Sequence, residues 1–302
     1  MCMLSIITPN KNHLKGLTMA AESLPGQSFR NWEHLIMDSV STDGSVEYAR
    51  GRSQTRIVSE PDKSLEEALN KSIRLATGKY VTFLLGWDRY VAPDWLEKAI
   101  NFLEENPHYS LVSASLQGFN GKCLNYHVYP SGEKFNYYFF IAPWPILQDA
   151  VFICRRSVLL EVFPDFWTTR NDCDIFHQLW INFFSAGYLA RFFTDDVLEY
   201  STHEDSRLAV ELTNGNWYAK EHTFYRNKHR VREQILWRQL KIKFRDSDGK
   251  EIGALQWPKY VAALLLYKIS VFILKKVLRR KISNFKFGYA QELARRCLDR
   301  VM

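Results

Sequence analysis

The sequence predicts an α/β protein built on a doubly wound, mainly parallel sheet with helices on both faces. Three observations carry that reading. Short apolar runs alternate with stretches of helical period four times in the first third of the chain. The run Lys79–Leu85 is apolar without alternation and rich in β-branched and aromatic residues, the mark of a strand buried on both faces. Successive strand ends open into polar loops, and in open α/β sheets ligands bind beyond the carboxyl ends of the strands.

In order, Leu4–Thr8 is a strand stopped by Pro9-Asn10, and a helix spans about Leu14 to Leu24 before Pro25-Gly26. Glu33–Met37 is a second strand delivering Asp38 into the turn-rich loop Asp38–Ser45, followed by a short helix near Val46 to Arg50. Arg56–Ser59 is a third strand. Ser64-Leu65-Glu66-Glu67 forms a capping box, and Leu65, Ala68, Leu69, Ile73 and Ala76 share one helical face, with Gly78 at C′. The strand from Lys79 delivers Asp88, which serves either a turn or a ligand. Pro93 opens a helix to about Asn106. Strands are expected at Tyr109–Ser115, Leu124–Tyr129, Ala150–Cys154 and Leu189–Phe193. An aromatic loop is expected over Gly132–Trp144, helices after Arg155 and over Asn171–Phe184, and a polar cluster at Ser201–Ser206.

The 302 residues have a globular composition and suffice for one large domain with an appendage. Five scattered cysteines without a CxxC pair point to reduced thiols rather than disulfides or zinc. No basic segment or cleavage site marks a secretory signal. Charge divides the chain unevenly: residues 226–302 hold 20 Lys/Arg against 6 Asp/Glu, and residues 1–225 hold 20 against 27. The expected organisation is therefore a globular domain over 1–225 and a basic helical extension over 226–302. Within the extension, Tyr260–Leu274 is apolar except for Lys268 and runs into Lys275-Lys276-Val277-Leu278-Arg279-Arg280-Lys281. It is shorter than the ~20 residues a spanning helix needs. It suits an amphipathic helix on an anionic membrane surface, or one packed on the domain. Its apolar stretch is too long for a nucleic-acid-binding face.

GxGxxG after the first strand, GxxxxGK[ST] and GxSxG are all missing, which removes the ordinary dinucleotide, P-loop and hydrolase-elbow readings. Polar strand ends converging on one crevice suit a nucleotide. Asp88 can supply one hard oxygen ligand to Mg²⁺ or Mn²⁺ shared with phosphate oxygens and water.

Ser5–Asn10, Glu33–Asp38 with Ser41-Thr42-Asp43-Gly44-Ser45, Ser59–Lys63, Asn70–Ile73, and Gly78 through Asp88 resemble, in that order, the family-2 glycosyltransferases of the GT-A fold. The resemblance covers roughly residues 3–210. It implies inverting transfer of a sugar from a nucleotide diphosphate donor, a UDP-sugar being one candidate, with a divalent metal. Thr8, Pro9 and Asn10 would line the nucleotide pocket, Asp38 would bond the base, and Asp62 and Lys63 would sit beside base and ribose. Asp88 stands where the family keeps a metal-binding aspartate pair, with Trp87 beside it in the donor site. Asp172 falls at the catalytic base, or is a helix N-cap, and His203 matches a late histidine that contacts metal or diphosphate.

One departure stands out. The family's strand end carries two adjacent aspartates, whereas here it reads Gly86-Trp87-Asp88-Arg89. Counted from Gly78, Asp88 is the second of the pair; counted back from Pro93 it is the first, and Arg89 takes the metal position. The expected function is addition of one sugar to a glycan or lipid-linked glycan acceptor in surface polysaccharide synthesis. It would take place in the cytoplasm, at the inner face of the cell membrane. The rival is a catalytically inactive GT-A domain kept for binding. No feature of the sequence sets an oligomeric state.

Overall fold

The computed structural model describes residues 2–118, 151–163, 179, 182–183, 186–200, 244–245 and 251–252. Strand and helix alternate through β1 (Leu4–Asn10), α1 (Leu14–Glu22), β2 (Trp32–Asp38), α2 (Ser45–Arg50), β3 (Thr55–Ser59), α3 (Leu65–Leu75) and β4 (Tyr80–Phe83). Then come β5 (Arg89–Tyr90), α4 (Trp95–Glu105), β6 (Tyr109–Gly118), β7 (Phe152–Arg155), α5 (Arg156–Val162) and β8 (Leu189–Tyr200). The eight strands make one mixed, mainly parallel sheet in the order β3-β2-β1-β4-β7-β6-β8-β5. β1 pairs in parallel with β2, from Leu4↔Trp32 to Asn10↔Asp38, and with β4, from Leu4↔Tyr80 to Ile7↔Phe83. β7 runs antiparallel to both β4 and β6, and β5 antiparallel to β8.

Pleating distributes the apolar residues to two cores. Ile7, Val81 and Phe83 face α3 and α5 with Leu69, Ile73, Val158 and Leu159. Leu4, Ile6 and Tyr80 face the other way, onto Ala20 of α1 and Trp95, Leu96 and Ala99 of α4. Both faces of β1 and β4 are thus sealed, which is why these strands read as continuous apolar runs.

Several local expectations change. Ser64 accepts the Glu67 N–H as the cap of α3, but the Glu67 carboxylate reaches back to the Lys63 N–H at 2.9 Å, one residue earlier than in a capping box. Gly78 lies beyond the Ala76 C-cap rather than at C′. Its need for glycine is a close approach of backbones: a Cβ there would meet Ser5 N at 2.5 Å and Leu4 C at 2.8 Å. Pro93 precedes the Asp94 N-cap of α4 instead of lying in its first turn. β8 continues to Tyr200, with register shifts opposite Ser113 and Ser115, where Leu189–Phe193 was expected.

Leu124–Tyr129, Gly132–Trp144, Ser201–Ser206 and most of Asn171–Phe184 lie outside the described residues. Of residues 226–302, only β9 (Phe244–Arg245) and β10 (Glu251–Ile252) are described, as an antiparallel pair; Tyr260–Leu274, where the amphipathic helix was expected, lies outside the described residues. Among the described residues no helix is long and apolar enough to cross a membrane.

Candidate active site

Three neighbouring parallel strands end together. Asn10 closes β1 opposite Asp38 at the close of β2, and β4 continues past Phe83 with Leu84 N–H bonded to Ile7 O at 2.9 Å. The loops after these strands therefore share one rim. Three of the four non-glycine residues with positive φ among the described residues lie in them: Asn12 (48°), Val40 (52°) and Trp87 (78°). Such backbone collects where a site dictates the chain path, and for Val and Trp it is a true outlier.

Asp38 is the hub of the β1–β2 side. Its Oδ1 accepts from Asn10 Nδ2 at 2.9 Å, and its Oδ2 accepts from Ser41 N–H at 2.9 Å and the Ser59 hydroxyl at 2.7 Å. Burial alone would raise its pKa, but the bonds from Ser41, Ser59 and Asn10 outweigh it and hold the carboxyl below its usual value. The loop is latched to that after β1: Asn12 N–H donates to Ser41 Oγ at 2.8 Å and Thr42 N–H to Asn12 Oδ1 at 2.8 Å. Asp43 accepts from Leu14 N–H at 2.7 Å and Ser45 N–H at 3.1 Å, so one carboxylate serves the starts of both α1 and α2.

Thr8 is fully buried. Its hydroxyl donates to Leu84 O at 2.6 Å and so accepts from His34 Nε2 at 2.9 Å. That assigns the His34 proton to Nε2 and leaves its buried Nδ1 without a partner. Desolvation, aided by the charge of Arg52, pushes the ring down to about 3, so it is neutral. No motif in the sequence singles out His34; its only signal is a histidine inside an apolar strand. Pro9 is part-buried opposite Met37, while Asp62 and Lys63 follow β3, half-buried and exposed.

On the β4 side, Asp88 is 1% exposed and its Oδ1 has no hydrogen-bond partner. Burial drives its carboxyl well above the usual range, outweighing the Leu85 backbone bond that would lower it. A buried carboxylate oxygen left without a donor fits a hard cation, which would also restore its charge. Asp172 and His203 both lie outside the described residues. Among the described residues no group of three His, Cys, Asp or Glu side chains is placed to hold a metal. Arg89 is bonded through Nε and Nη2 to Glu199 Oε2 at 3.2 and 2.8 Å, so its cation answers a carboxylate across the β5–β8 pair.

Fold and rim together define an open α/β protein, the architecture in which ligands bind beyond the carboxyl ends of the strands. The chain belongs to Glycosyl transferase family 2, whose model matches residues 5–163, and it is accordingly a transferase. It is 28% identical over 218 residues to a Bacillus subtilis protein named as the glycosyltransferase EpsE, covering 67% of this chain and 73% of the other. It is 26% identical over 229 residues to the B. subtilis protein named for teichuronic acid biosynthesis, TuaG, covering 74% and 86%. Two solved GT-A structures share the fold. S. aureus TarS 1-349 in complex with UDP-GlcNAc aligns with a TM-score of 0.56 at 19% identity, over 68% of this chain and 60% of the 1-349 chain. The mannosyltransferase PcManGT from Pyrobaculum calidifontis, in complex with GDP-Man and Mn²⁺, aligns with a TM-score of 0.56 at 16% identity, over 98% and 85%.

Proposed function

We propose that the chain is an inverting glycosyltransferase that moves a sugar from a nucleotide diphosphate donor to a hydroxyl of a glycan or lipid-linked glycan. The observation that carries this reading is the shared rim, where an ionised Asp38 and a buried Asp88 with an unpartnered oxygen follow β2 and β4, the two parallel neighbours of β1. The nucleotide would lie over the Thr8–Asn10 strand end, with Asp38 toward the base, Asp62 and Lys63 beside base and ribose, and Trp87 along the donor. Asp88, with His203, would hold Mg²⁺ or Mn²⁺, whose chemistry there is neutralisation of the departing diphosphate. Asp172 takes the proton of the acceptor hydroxyl as it attacks the anomeric carbon, and opposite-face attack inverts that centre.

A donor with a diphosphate is supported by the UDP-GlcNAc and the GDP-Man with Mn²⁺ bound by the two structural neighbours. Polysaccharide synthesis is supported by the teichuronic acid biosynthesis named for TuaG. We assign residues 1–225 to transfer and the basic residues 226–302 to docking on an anionic membrane face from the cytoplasmic side. A thermal-shift screen of the full chain across the common nucleotide-sugars, with and without Mn²⁺, tests the donor class: at least one must stabilise the protein. Loss of binding to anionic vesicles on deleting 226–302 tests the docking; unchanged binding refutes it.

A further inference from the structure

We propose that His13 is a positioning residue for the diphosphate end of the donor site, acting through Trp87 on Asp88; this rests on the donor reading above. His13 occupies the N-cap position of α1, yet its side chain makes no capping bond. Asp43 of the neighbouring loop takes the Leu14 N–H. The Trp87 indole N–H donates to His13 Nε2, and the two rings lie 5.3 Å apart. An indole nitrogen only donates, so His13 Nε2 must offer its lone pair.

The imidazole lies in a slot made by missing side chains. A Cβ on Gly16 would come 2.5 Å from His13 Cε1, and one on Gly86 would come 2.8 Å from Nδ1. Trp87 N–H also approaches Gly16 O at 3.4 Å, so the start of α1 holds the β4–β5 loop through both backbone and side chain. Lys15 lies on the same ring, its Nζ 4.9 Å from the centroid. The residue held this way has φ of 78°, where a tryptophan does not rest unaided, and the next residue is Asp88. A departure from the aspartate pair thus places an aromatic residue beside Asp88, together with the histidine that fixes its backbone. Losing the latch lets the 86–88 turn relax and moves the Asp88 oxygens.

The test measures binding of UDP and GDP to the full chain by calorimetry, with and without Mn²⁺, for wild type, His13→Ala, His13→Gln and Gly86→Ala. Positioning groups behind a metal ligand govern metal affinity by roughly ten- to hundred-fold. His13→Ala and Gly86→Ala are expected to lose the Mn²⁺-linked gain in nucleotide affinity by that factor, and to keep the metal-free affinity. His13→Gln, whose amide oxygen can accept from the indole, is expected to recover most of the gain. The Trp87 indole ¹H–¹⁵N resonance reports the bond independently and moves in the alanine variant. A merely structural role lowers stability without touching the Mn²⁺-linked gain of the folded protein, and that result overturns the inference. A wild-type protein that binds nucleotide without any Mn²⁺-linked gain overturns the metal assignment and this inference with it, while leaving the nucleotide site standing.

Discussion

Asn10 and Asp38 face each other at the last register position of β1 and β2, and the Asn10 amide donates to the Asp38 carboxylate at 2.9 Å. Two strand ends are thereby tied into one polar floor. Its negative charge is stabilised by donors from the strand end, the following loop and β3.

Asp38→Asn turns one of those acceptor oxygens into a donor facing other donors. Bonds to a charged group contribute about 1.5–3 kcal/mol each, so a loss of at least ~2 kcal/mol is expected in urea unfolding at neutral pH. Because the folded pKa is below the ordinary 3.8, the contribution of Asp38 is present above that value and fades as pH falls through the folded one. The asparagine variant should therefore approach wild type in stability only in strong acid.

His34 gives the opposite kind of titration. The folded ring stays neutral down to about 3, whereas the unfolded one takes a proton near 6.5. Between those values the unfolded state binds more protons, so stability falls as pH drops, by up to about 1.4 kcal/mol per pH unit. His34→Gln keeps a donor for Thr8 and cannot titrate. The difference in slope between wild type and this variant, from pH 6.5 to 4.5, measures the effect.

Val40 is 52% exposed, and its backbone is left-handed at φ of 52°. Left-handed backbone costs an L-residue about 1–2 kcal/mol, and a glycine returns part of that through unfolded-chain entropy. Val40→Gly is expected to raise stability by roughly 0.5–1 kcal/mol, read from urea midpoints at constant m. A destabilised variant would mean that the valine side chain contributes contacts worth more than the strain.

Gly78→Ala should do the reverse. Its Cβ would meet backbone atoms of Leu4, Ser5 and Tyr80, none of which can swing aside as a side chain tip would. Overpacking of that kind costs about 1–3 kcal/mol or more, and differential scanning calorimetry would show it as a lowered Tm.

How much of this could be read from residues alone follows from what each feature depends on. Asn10, Asp38 and Asp88 were legible because a polar residue at the end of an apolar run needs only local pattern to be noticed. β7 was legible as a strand but not as an antiparallel one, since a strand buried on both faces has the same composition in either direction. β5 is two residues long and exists through pairing with β8, which no local signal announces. The His13–Trp87 bond spans 74 residues, and the Thr8–His34–Leu84 chain joins three strands, so both need the fold to be seen. The role of Arg89 was open for the same reason, until Glu199 110 residues away supplied its partner.

The central claim is that the rim of β1, β2 and β4 holds a nucleotide diphosphate. Calorimetric titration of UDP and GDP into the full chain, Asp38→Ala and Asp88→Asn, each with and without Mn²⁺, tests it most directly. One nucleotide is expected to bind wild type, Asp38→Ala to weaken it with or without metal, and Asp88→Asn to remove only the part that Mn²⁺ adds. Binding that survives both substitutions unchanged, or a folded wild-type chain that takes up neither nucleotide, would contradict it.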